Sequence, residues 1–214
     1  MIETARLYLR PFEPEDMERY REIRSSPTVS RFLPGGEAGA KDAAAKVRLV
    51  WGHETWAADG FAPWAVVEKR GQRLIGHLGL RFLPEISQTE LLYMIDEPWW
   101  GKGLVTEGGQ AAVTFARDRL SLKRLVAFAL PSNGASFAVM RKLGFRFDGD
   151  QFIFGLDVVR YALDLGRETW FHRRVAGKGS PVYVPRDGPP INRNRSQREI
   201  ESISATVIRI STMT

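Results

Sequence analysis

Residues 89–116 read TELLYMIDEPWWGKGLVTEGGQAAVTFA and hold the most informative pattern in the chain. The run 89–96 is typical of a β-strand, and a helical pattern follows from about residue 106 to about residue 119. Between them, Gly101 and Gly103 permit a tight turn that leaves peptide N–H groups uncovered. Free N–H groups at the positive N-terminus of a helix form a site for an anion such as pyrophosphate. Lys102 would add a point charge beside it.

Two nucleotide-binding motifs are excluded at this turn. A P-loop requires Gly-Lys-Ser/Thr after a first glycine and four intervening residues, and this pattern is absent. A Rossmann fingerprint requires a third glycine at position 106, which is Thr106 here. A Gly-x-Gly turn alone is weak support for ligand binding, so an anion site and a purely structural turn both remain open at this point.

The rest of the chain alternates strand and helix patterns. A strand at 5–10 and a helix at 14–24 come first, and a second helical region covers about 38–58. The hairpin turn at 70–72 predicts antiparallel pairing, whereas strand–helix–strand crossovers late in the chain predict parallel pairing. The order therefore predicts a mixed α/β sheet. Further strand patterns occupy residues 61–69, 73–81, 89–96, 123–130, 145–154 and 158–165, and a third helix covers 134–143.

Composition excludes several classes of protein. The 214 residues include no cysteine, which excludes disulfide scaffolds, Cys-ligated zinc, iron–sulfur clusters and a thiol nucleophile. Three scattered histidines, at 53, 77 and 172, lead us to expect no metal site. No stretch approaches 18 apolar residues, and the N-terminus lacks the apolar core of a signal peptide. We therefore expect no membrane association and a cytoplasmic location.

Positive charge is concentrated towards the C-terminus. The formal net charge is +6, but residues 166–214 hold nine lysines and arginines against four acids, so residues 1–165 are nearly neutral. This distribution argues against a basic nucleic-acid groove built into the fold. Residues 177–198 are rich in Gly, Pro and Arg, which predicts a linker or an extended arm. We expect one domain over 1–168 and a basic extension over 169–214.

Four segments together carry a resemblance to a known family. Residues 89–116 and 124–145, the latter RLVAFALPSNGASFAVMRKLGF, resemble the GNAT superfamily of acetyl-CoA-dependent N-acetyltransferases, and more closely its ribosomal-protein-alanine acetyltransferase branch. TARLYLRPFEPEDMERYREI at 4–23 and WAVVEKRGQRLIGHLGLR at 64–81 are similar to the same branch. The resemblance implies a mixed, mostly antiparallel central sheet with a splayed parallel strand pair, flanked by helices.

The resemblance also implies where the cofactor binds. The superfamily's pyrophosphate pattern, Gln/Arg-x-x-Gly-x-Gly/Ala, matches residues 100–105. Trp100 stands in place of the polar first residue and Val105 in place of a small last one. Because backbone N–H groups do most of the binding, Trp100 is compatible, and Val105 is expected to affect affinity more than function. The expected contacts are Trp100, Gly101, Lys102, Gly103, Leu104, Val105 and Thr106.

The implied reaction is the attack of an amine on the thioester of acetyl-CoA. It requires a neutral amine, a polarised carbonyl and a proton for the departing thiolate. Glu90, which matches a glutamate common in the branch, is the candidate base or acceptor-positioning residue; the alternative is a solvated charge at a strand end. The implied fold places the main chain of Tyr93, Met94 and Ile95 against the acetyl and pantetheine parts of the cofactor, with one N–H polarising the carbonyl.

A second motif follows at 133–145. Asn133 lies between a strand and a helix, which is an N-cap position, and the resemblance adds a polar contact to pantetheine. In many relatives, a tyrosine at position 140 is the acid that protonates the departing thiolate. This chain has Met140 there, which cannot donate a proton. The branch assigns that task to a serine at position 136, so Ser136 is the candidate acid. Met140 and Arg141 are expected at the cofactor, with a solvated helix face as the alternative for Arg141.

We therefore expect an acetyltransferase that uses acetyl-CoA as co-substrate, needs no metal and acts on a primary amine, either a protein N-terminus or a small molecule. One alternative is a catalytically idle acyl-CoA-binding module, which Val105 and Met140 favour. Another is an RNA- or ribosome-docking protein that uses the basic tail, the one part of the chain for which nucleic-acid binding stays open. Homodimerisation, common among relatives, is a further hypothesis.

Overall fold

The computed structural model describes residues 1–36, Trp56 and residues 60–166. In this part of the chain, eight strands form one sheet. They are β1 (Ile2–Glu3), β2 (Leu7–Arg10), β3 (Trp64–Glu68), β4 (Arg73–Leu83), β5 (Gln88–Ile95), β6 (Arg124–Ala129), β7 (Arg146–Ile153) and β8 (Leu156–Asp164).

Four α-helices accompany the sheet within the described residues. They are α1 (Asp16–Ser25), α2 (Pro27–Ser30), α3 (Leu104–Asp118) and α4 (Gly134–Lys142). Helix α3 begins earlier than the sequence pattern indicates because Gly103 acts as its N-cap. The predicted helix at 38–58 lies outside the described residues apart from Trp56. The strand β1 escapes prediction because two residues are too few to show an alternating pattern.

The strand order is β1-β2-β3-β4-β5-β6-β8-β7, and β5 and β6 are the one parallel pair in this sheet. This arrangement confirms the predicted mixed, mostly antiparallel sheet. The prediction of parallel pairing at the second late crossover is wrong, because β8 lies between β6 and β7 and pairs antiparallel with both. The reason is burial: β8 contributes the buried Val158 and Tyr161, whereas β7 is mostly exposed and takes the edge.

Strands β5 and β6 separate along their length. Their ladder contains the single pair Glu90–Val126. Strand β5 remains paired with β4 as far as Ile95, and β6 remains paired with β8 over its whole length. The backbone of β5 after Glu90 therefore faces an opening in the sheet, which we call the β5–β6 cleft. It is the splayed parallel pair that the resemblance implies.

The core lies on both faces of the sheet. On the larger side, α3 and α4 pack against the strands through buried residues that include Leu78, Val113 and Leu143. On the opposite face, α1 packs through Tyr20 and Ile23. Burying one side chain of this size contributes about 1.5–3 kcal/mol. The central strands β4 and β5 are thus held from both sides, which gives the cleft a rigid wall.

Two findings concern membranes and metals. No helix among residues 1–36, 56 and 60–166 is long and apolar enough to cross a membrane. The same residues contain no cluster of three or more side chains that could hold a metal ion. Neither finding extends to the rest of the chain.

Candidate functional site

The turn between β5 and α3 has the backbone conformation that its glycines permit. A short 3-10 helix, Glu97–Trp99, precedes it, and Gly101 and Gly103 then adopt φ values of +72° and +75°. Glycine enters this left-handed region without the steric cost that other residues meet. Because Gly103 is also the N-cap of α3, the turn leads directly into the helix.

The peptide N–H groups of this turn are available to a ligand. The backbone hydrogen bonding of α3 starts with the Glu107 N–H, which donates to the Gly103 carbonyl at 3.0 Å. Within the described part of the chain, the N–H groups of residues 101–106 donate to no protein acceptor. We call these six N–H groups the amide cradle. With the positive end of the helix dipole behind it, the amide cradle fits an anion such as pyrophosphate.

Hydrogen bonds fasten the amide cradle to the start of the chain. Glu107 accepts from Thr4 Oγ1 at 2.6 Å, from the Arg6 N–H at 2.8 Å and from Arg6 Nε at 2.6 Å. Arg6 Nη1 donates to the Lys102 carbonyl at 2.9 Å. Burial acts to raise the pKa of Glu107, but the hydrogen bonds from Thr4 and Arg6 outweigh it and the pKa is lowered. The carboxylate therefore stays ionised and holds the turn in place.

The two residues that depart from the family pattern both make contacts within the protein. Trp100 is anchored by its indole, whose Nε1 donates to the Ile95 carbonyl at 2.7 Å. The side chain of Val105 is partly buried and packs against the larger core. Lys102 is exposed beside the cradle.

Strand β5 connects the amide cradle to the β5–β6 cleft. Tyr93, Met94 and Ile95 follow the Glu90–Val126 pair, so their main chain borders the cleft. The side chains of Met94 and Ile95 are buried on opposite faces of the sheet. An elongated ligand lying along β5 would have one end in the cleft and the other at the cradle.

The N-terminus of α4 borders the other side of the cleft. Asn133 caps this helix, because its Oδ1 accepts a hydrogen bond from the Ser136 N–H at 3.1 Å. The Ser136 Oγ is buried and lies 2.8 Å from the phenol oxygen of Tyr93. Arg141 is exposed on α4. We expected Met140 to contact the cofactor. Its side chain does not reach the surface, because it is 1% exposed and packed into the larger core.

Glu90 is buried beside the cleft and paired with Arg81. It is 5% exposed, so the alternative of a solvated strand-end charge is wrong. Arg81, its partner across β4 and β5, donates to Oε2 from Nε at 3.0 Å and from Nη2 at 2.5 Å. The Arg81 guanidinium also lies over the Phe154 ring, 4.8 Å from its centroid. Among the described residues, no donor is hydrogen-bonded to Oε1.

Residues 6–146, which include the amide cradle, the cleft and Glu90, match a family model described as an acetyltransferase (GNAT) domain. The chain belongs to the GNAT family. The resemblance to the GNAT superfamily is thereby confirmed, and the protein is an acetyl-CoA-dependent N-acetyltransferase.

Each of three similar proteins covers more than two thirds of this chain. YnaD of Bacillus subtilis, an uncharacterized N-acetyltransferase, is 29% identical over 149 residues, which are 69% of this chain and 84% of that protein. A GNAT-family acetyltransferase structure from Bacillus anthracis has a TM-score of 0.65 at 25% identity and covers 77% of this chain and 98% of that one. The ribosomal-protein-S5-alanine acetyltransferase of Vibrio fischeri shares the fold, with a TM-score of 0.60 at 18% identity over 78% of this chain and 98% of that one.

Some contacts of the site are not predicted by the sequence. Arg6 and Glu107 are 101 residues apart, and no local pattern indicates that they meet. The contact between Tyr93 and Ser136 likewise depends on how the strand and the helix are placed. The Glu90–Arg81 pair could have been predicted from the sequence. The two residues are equally far from the tight connection between β4 and β5, so antiparallel pairing places them opposite each other.

Proposed function

We propose that this GNAT enzyme transfers the acetyl group to a primary amine by direct attack in a ternary complex. The observation that carries the proposal is the continuity of the amide cradle at 101–106 with the β5–β6 cleft along one strand. Acetyl-CoA has the matching sequence of parts, which are a pyrophosphate, a narrow pantetheine arm and a thioester.

Acetyl-CoA binding is expected to use mainly backbone groups. In this proposal the pyrophosphate is held by the amide cradle, with Lys102 adding charge, and pantetheine lies along Tyr93, Met94 and Ile95. An N–H of that strand segment polarises the thioester carbonyl. Because the cap uses Oδ1 of Asn133, its amide NH2 is left for the pantetheine arm. Arg141, exposed on α4, would contact the nucleotide phosphate.

Glu90 is proposed as the base that makes the amine reactive. A lysine-like amine with a pKa of about 10.4 is neutral in only about one molecule in a few thousand at pH 7. In this proposal Oε1 of Glu90, which accepts from no described donor, takes the proton directly or through water, while Arg81 holds Oε2. Alignment of amine and thioester in one complex can itself lower the barrier by about 7–11 kcal/mol when it is ideal.

The acceptor is proposed as a protein N-terminus or a small primary amine. A panel that separates these classes contains a peptide with N-terminal alanine, a peptide with N-terminal serine, a polyamine and an amine-bearing antibiotic. Release of the free CoA thiol would be measured with each. Turnover with peptides alone or with small amines alone would assign the class.

The test of the cofactor site is calorimetric titration of acetyl-CoA into the wild-type protein and Gly103→Asp. The substitution strains a residue at φ +75° and puts a negative charge in the amide cradle, so binding should be lost. Gly155→Asp is the matched control, because Gly155 has φ +74°, has open space around it and lies in the β7–β8 turn. Equal loss in both variants, or unchanged binding in Gly103→Asp, would contradict the placement.

A catalytically idle acyl-CoA-binding module is the second candidate, and the occupation of Glu90 by Arg81 is the observation that favours it. The amine panel separates the two candidates. Tight binding of acetyl-CoA without CoA release from any amine would support the idle module.

A further inference from the structure

The Tyr93 phenol bridges the two walls of the β5–β6 cleft. Tyr93 stands on β5, beyond the last residue that pairs with β6, and Ser136 stands in the first turn of α4, the helix that follows β6. The phenol oxygen lies 2.8 Å from Ser136 Oγ and 3.2 Å from the Ser136 carbonyl oxygen. The two hydroxyls thus form a pair at the place where the thioester is proposed to lie.

The surroundings fix the positions of the two oxygen atoms. The Ser136 N–H is fixed by the Asn133 cap, and the Ser136 side chain is buried. The phenol hydrogen has two acceptors, the Ser136 carbonyl oxygen at 3.2 Å and Ser136 Oγ at 2.8 Å, and the relay uses the shorter contact. When Tyr93 donates to Ser136 Oγ, the serine proton is directed away from the phenol and towards the cleft.

A serine hydroxyl alone is a poor acid for the leaving thiolate. An aliphatic hydroxyl is a much weaker acid than a phenol, so Ser136 by itself would have to become an alkoxide. Burial raises the pKa of Tyr93 to about 12, and the Glu90 charge adds to this rise while the Ser136 hydrogen bond opposes it. The phenol therefore keeps its proton at neutral pH and can act as a donor.

We propose that Tyr93 and Ser136 form a two-hydroxyl relay in which Tyr93 positions Ser136 and replaces the proton that Ser136 gives to the thiolate. The inference rests on the proposed acetyl transfer. As the C–S bond breaks, its electron pair stays on sulfur, sulfur takes the Ser136 proton and Ser136 Oγ takes the phenol proton. The phenolate is then reprotonated by water, and the proton lost by the amine leaves through Glu90 to solvent. The products are an amide and the CoA thiol.

The test compares Tyr93→Phe, Ser136→Ala and the double variant with the wild-type protein. Tyr93→Phe keeps the ring and removes only the hydroxyl. We expect kcat to fall by about 100-fold in each variant, with KM for acetyl-CoA unchanged. Because the hydroxyls act as a unit, the double variant should be no slower than Ser136→Ala. Tyr161→Phe is the control, because Tyr161 is a buried tyrosine on β8 whose ring stacks on Phe137 of α4, and it should keep wild-type kcat.

A binding measurement tests the relay without turnover. If the relay points at sulfur, the wild-type protein should bind CoA more tightly than desulfo-CoA, and both single variants should lose this difference. Equal binding of the two ligands by the wild-type protein, wild-type kcat in Tyr93→Phe, or multiplied losses in the double variant would each overturn the relay. If wild-type protein discriminates CoA from desulfo-CoA but turns over no amine, the proposed function has failed while the hydroxyl pair at sulfur stands. Loss of acetyl-CoA binding in Tyr93→Phe would instead make the phenol a structural brace and overturn the inference.

Discussion

Two buried titratable residues on the α1 side of the sheet, Glu90 and His77, have opposite electrostatic surroundings. Glu90 lies against the Arg81 guanidinium, which compensates its charge. His77 has the Tyr20 hydroxyl at 3.0 Å from its Nδ1, and Arg81 and Arg24 act on it as positive charges. A buried charge is tolerated when it is paired with an opposite one and disfavoured beside like charges. The structure therefore pairs the carboxylate beside the cleft with a positive charge and disfavours the charged form of the imidazole behind it.

His77 is predicted to remain neutral throughout the physiological pH range. Burial, followed by the charges of Arg81 and Arg24, lowers the pKa of His77 to about 3. An unfolded histidine has a pKa of about 6.5, so between these values the unfolded chain binds a proton that the folded chain does not. The free energy of unfolding should fall as the pH drops below 6.5, and His77→Gln should flatten this dependence. An NMR titration, assigned with that variant, would contradict the prediction if the His77 resonance moved between pH 5 and 8.

At the scale of elements, Glu107 joins α3 to the connection between β1 and β2. Its three hydrogen bonds from Thr4 and Arg6 lie between segments that share no local sequence relation. Glu107→Gln keeps the shape and removes the charge, so we expect a loss of about 1–3 kcal/mol in the free energy of unfolding. Because the pKa of Glu107 is lowered, this stabilisation is present above the ordinary glutamate value of about 4.3 and is lost as the pH falls further.

Urea unfolding at pH 7 and at pH 3 would measure the effect of Glu107→Gln. Glu22→Gln on α1 is the control, because its exposed ion pair with Arg19 should contribute less than about 1 kcal/mol. A Glu107→Gln loss as small as that of the control, or one as large at pH 3 as at pH 7, would argue against the role of the carboxylate charge.

Gly76 sets how closely β4 approaches the end of β5. It has φ +151°, and an added Cβ would lie 2.0 Å from the Met94 carbonyl oxygen and 2.8 Å from the Ile95 Cα. These are backbone atoms, so the strands themselves would have to move. Gly76→Ala should therefore destabilise the protein by about 2–5 kcal/mol and weaken acetyl-CoA binding, because the displaced segment borders the cleft.

The control for Gly76→Ala is Gly134→Ala. An added Cβ at Gly134 meets nothing within 4 Å, and alanine favours the helix that begins there. We expect this variant to be neutral or stabilised by up to about 1 kcal/mol. Thermal unfolding would measure the stability of both variants. A Gly76→Ala melting temperature equal to that of the wild-type protein would show that the contact can relax.

At the scale of the whole molecule, the described residues, which end at 166, contain an eight-stranded sheet, core on both of its faces and the proposed site. We propose that residues 1–168 form the catalytic unit and that residues 169–214 are an accessory basic extension. Truncation after residue 168 should leave the affinity for acetyl-CoA unchanged and remove any salt-dependent binding of RNA, since most of the net charge is in the tail. Calorimetry and RNA retention at two salt concentrations would test this, and loss of folding or cofactor binding would show that the tail belongs to the domain.

The amino-acid sequence by itself determined the features that depend on neighbouring residues. The Gly101–Gly103 turn, the N-cap of Asn133 and the periodic patterns of β5, α3 and α4 are local, because backbone sterics and side-chain alternation act over a few residues. These features, taken with the family resemblance, were enough to predict a mixed sheet with an anion-binding turn after its central strand.

The tertiary structure alone decided which distant groups meet. The insertion of β8 between β6 and β7 depends on which strand of a hairpin has more apolar surface to bury against the sheet. The Glu107–Arg6 tether and the Tyr93–Ser136 pair depend on the packing of helices against strands far away in sequence. Many long-range pairings satisfy the same local patterns, and the choice among them is made by burial and hydrogen bonding summed over the whole molecule.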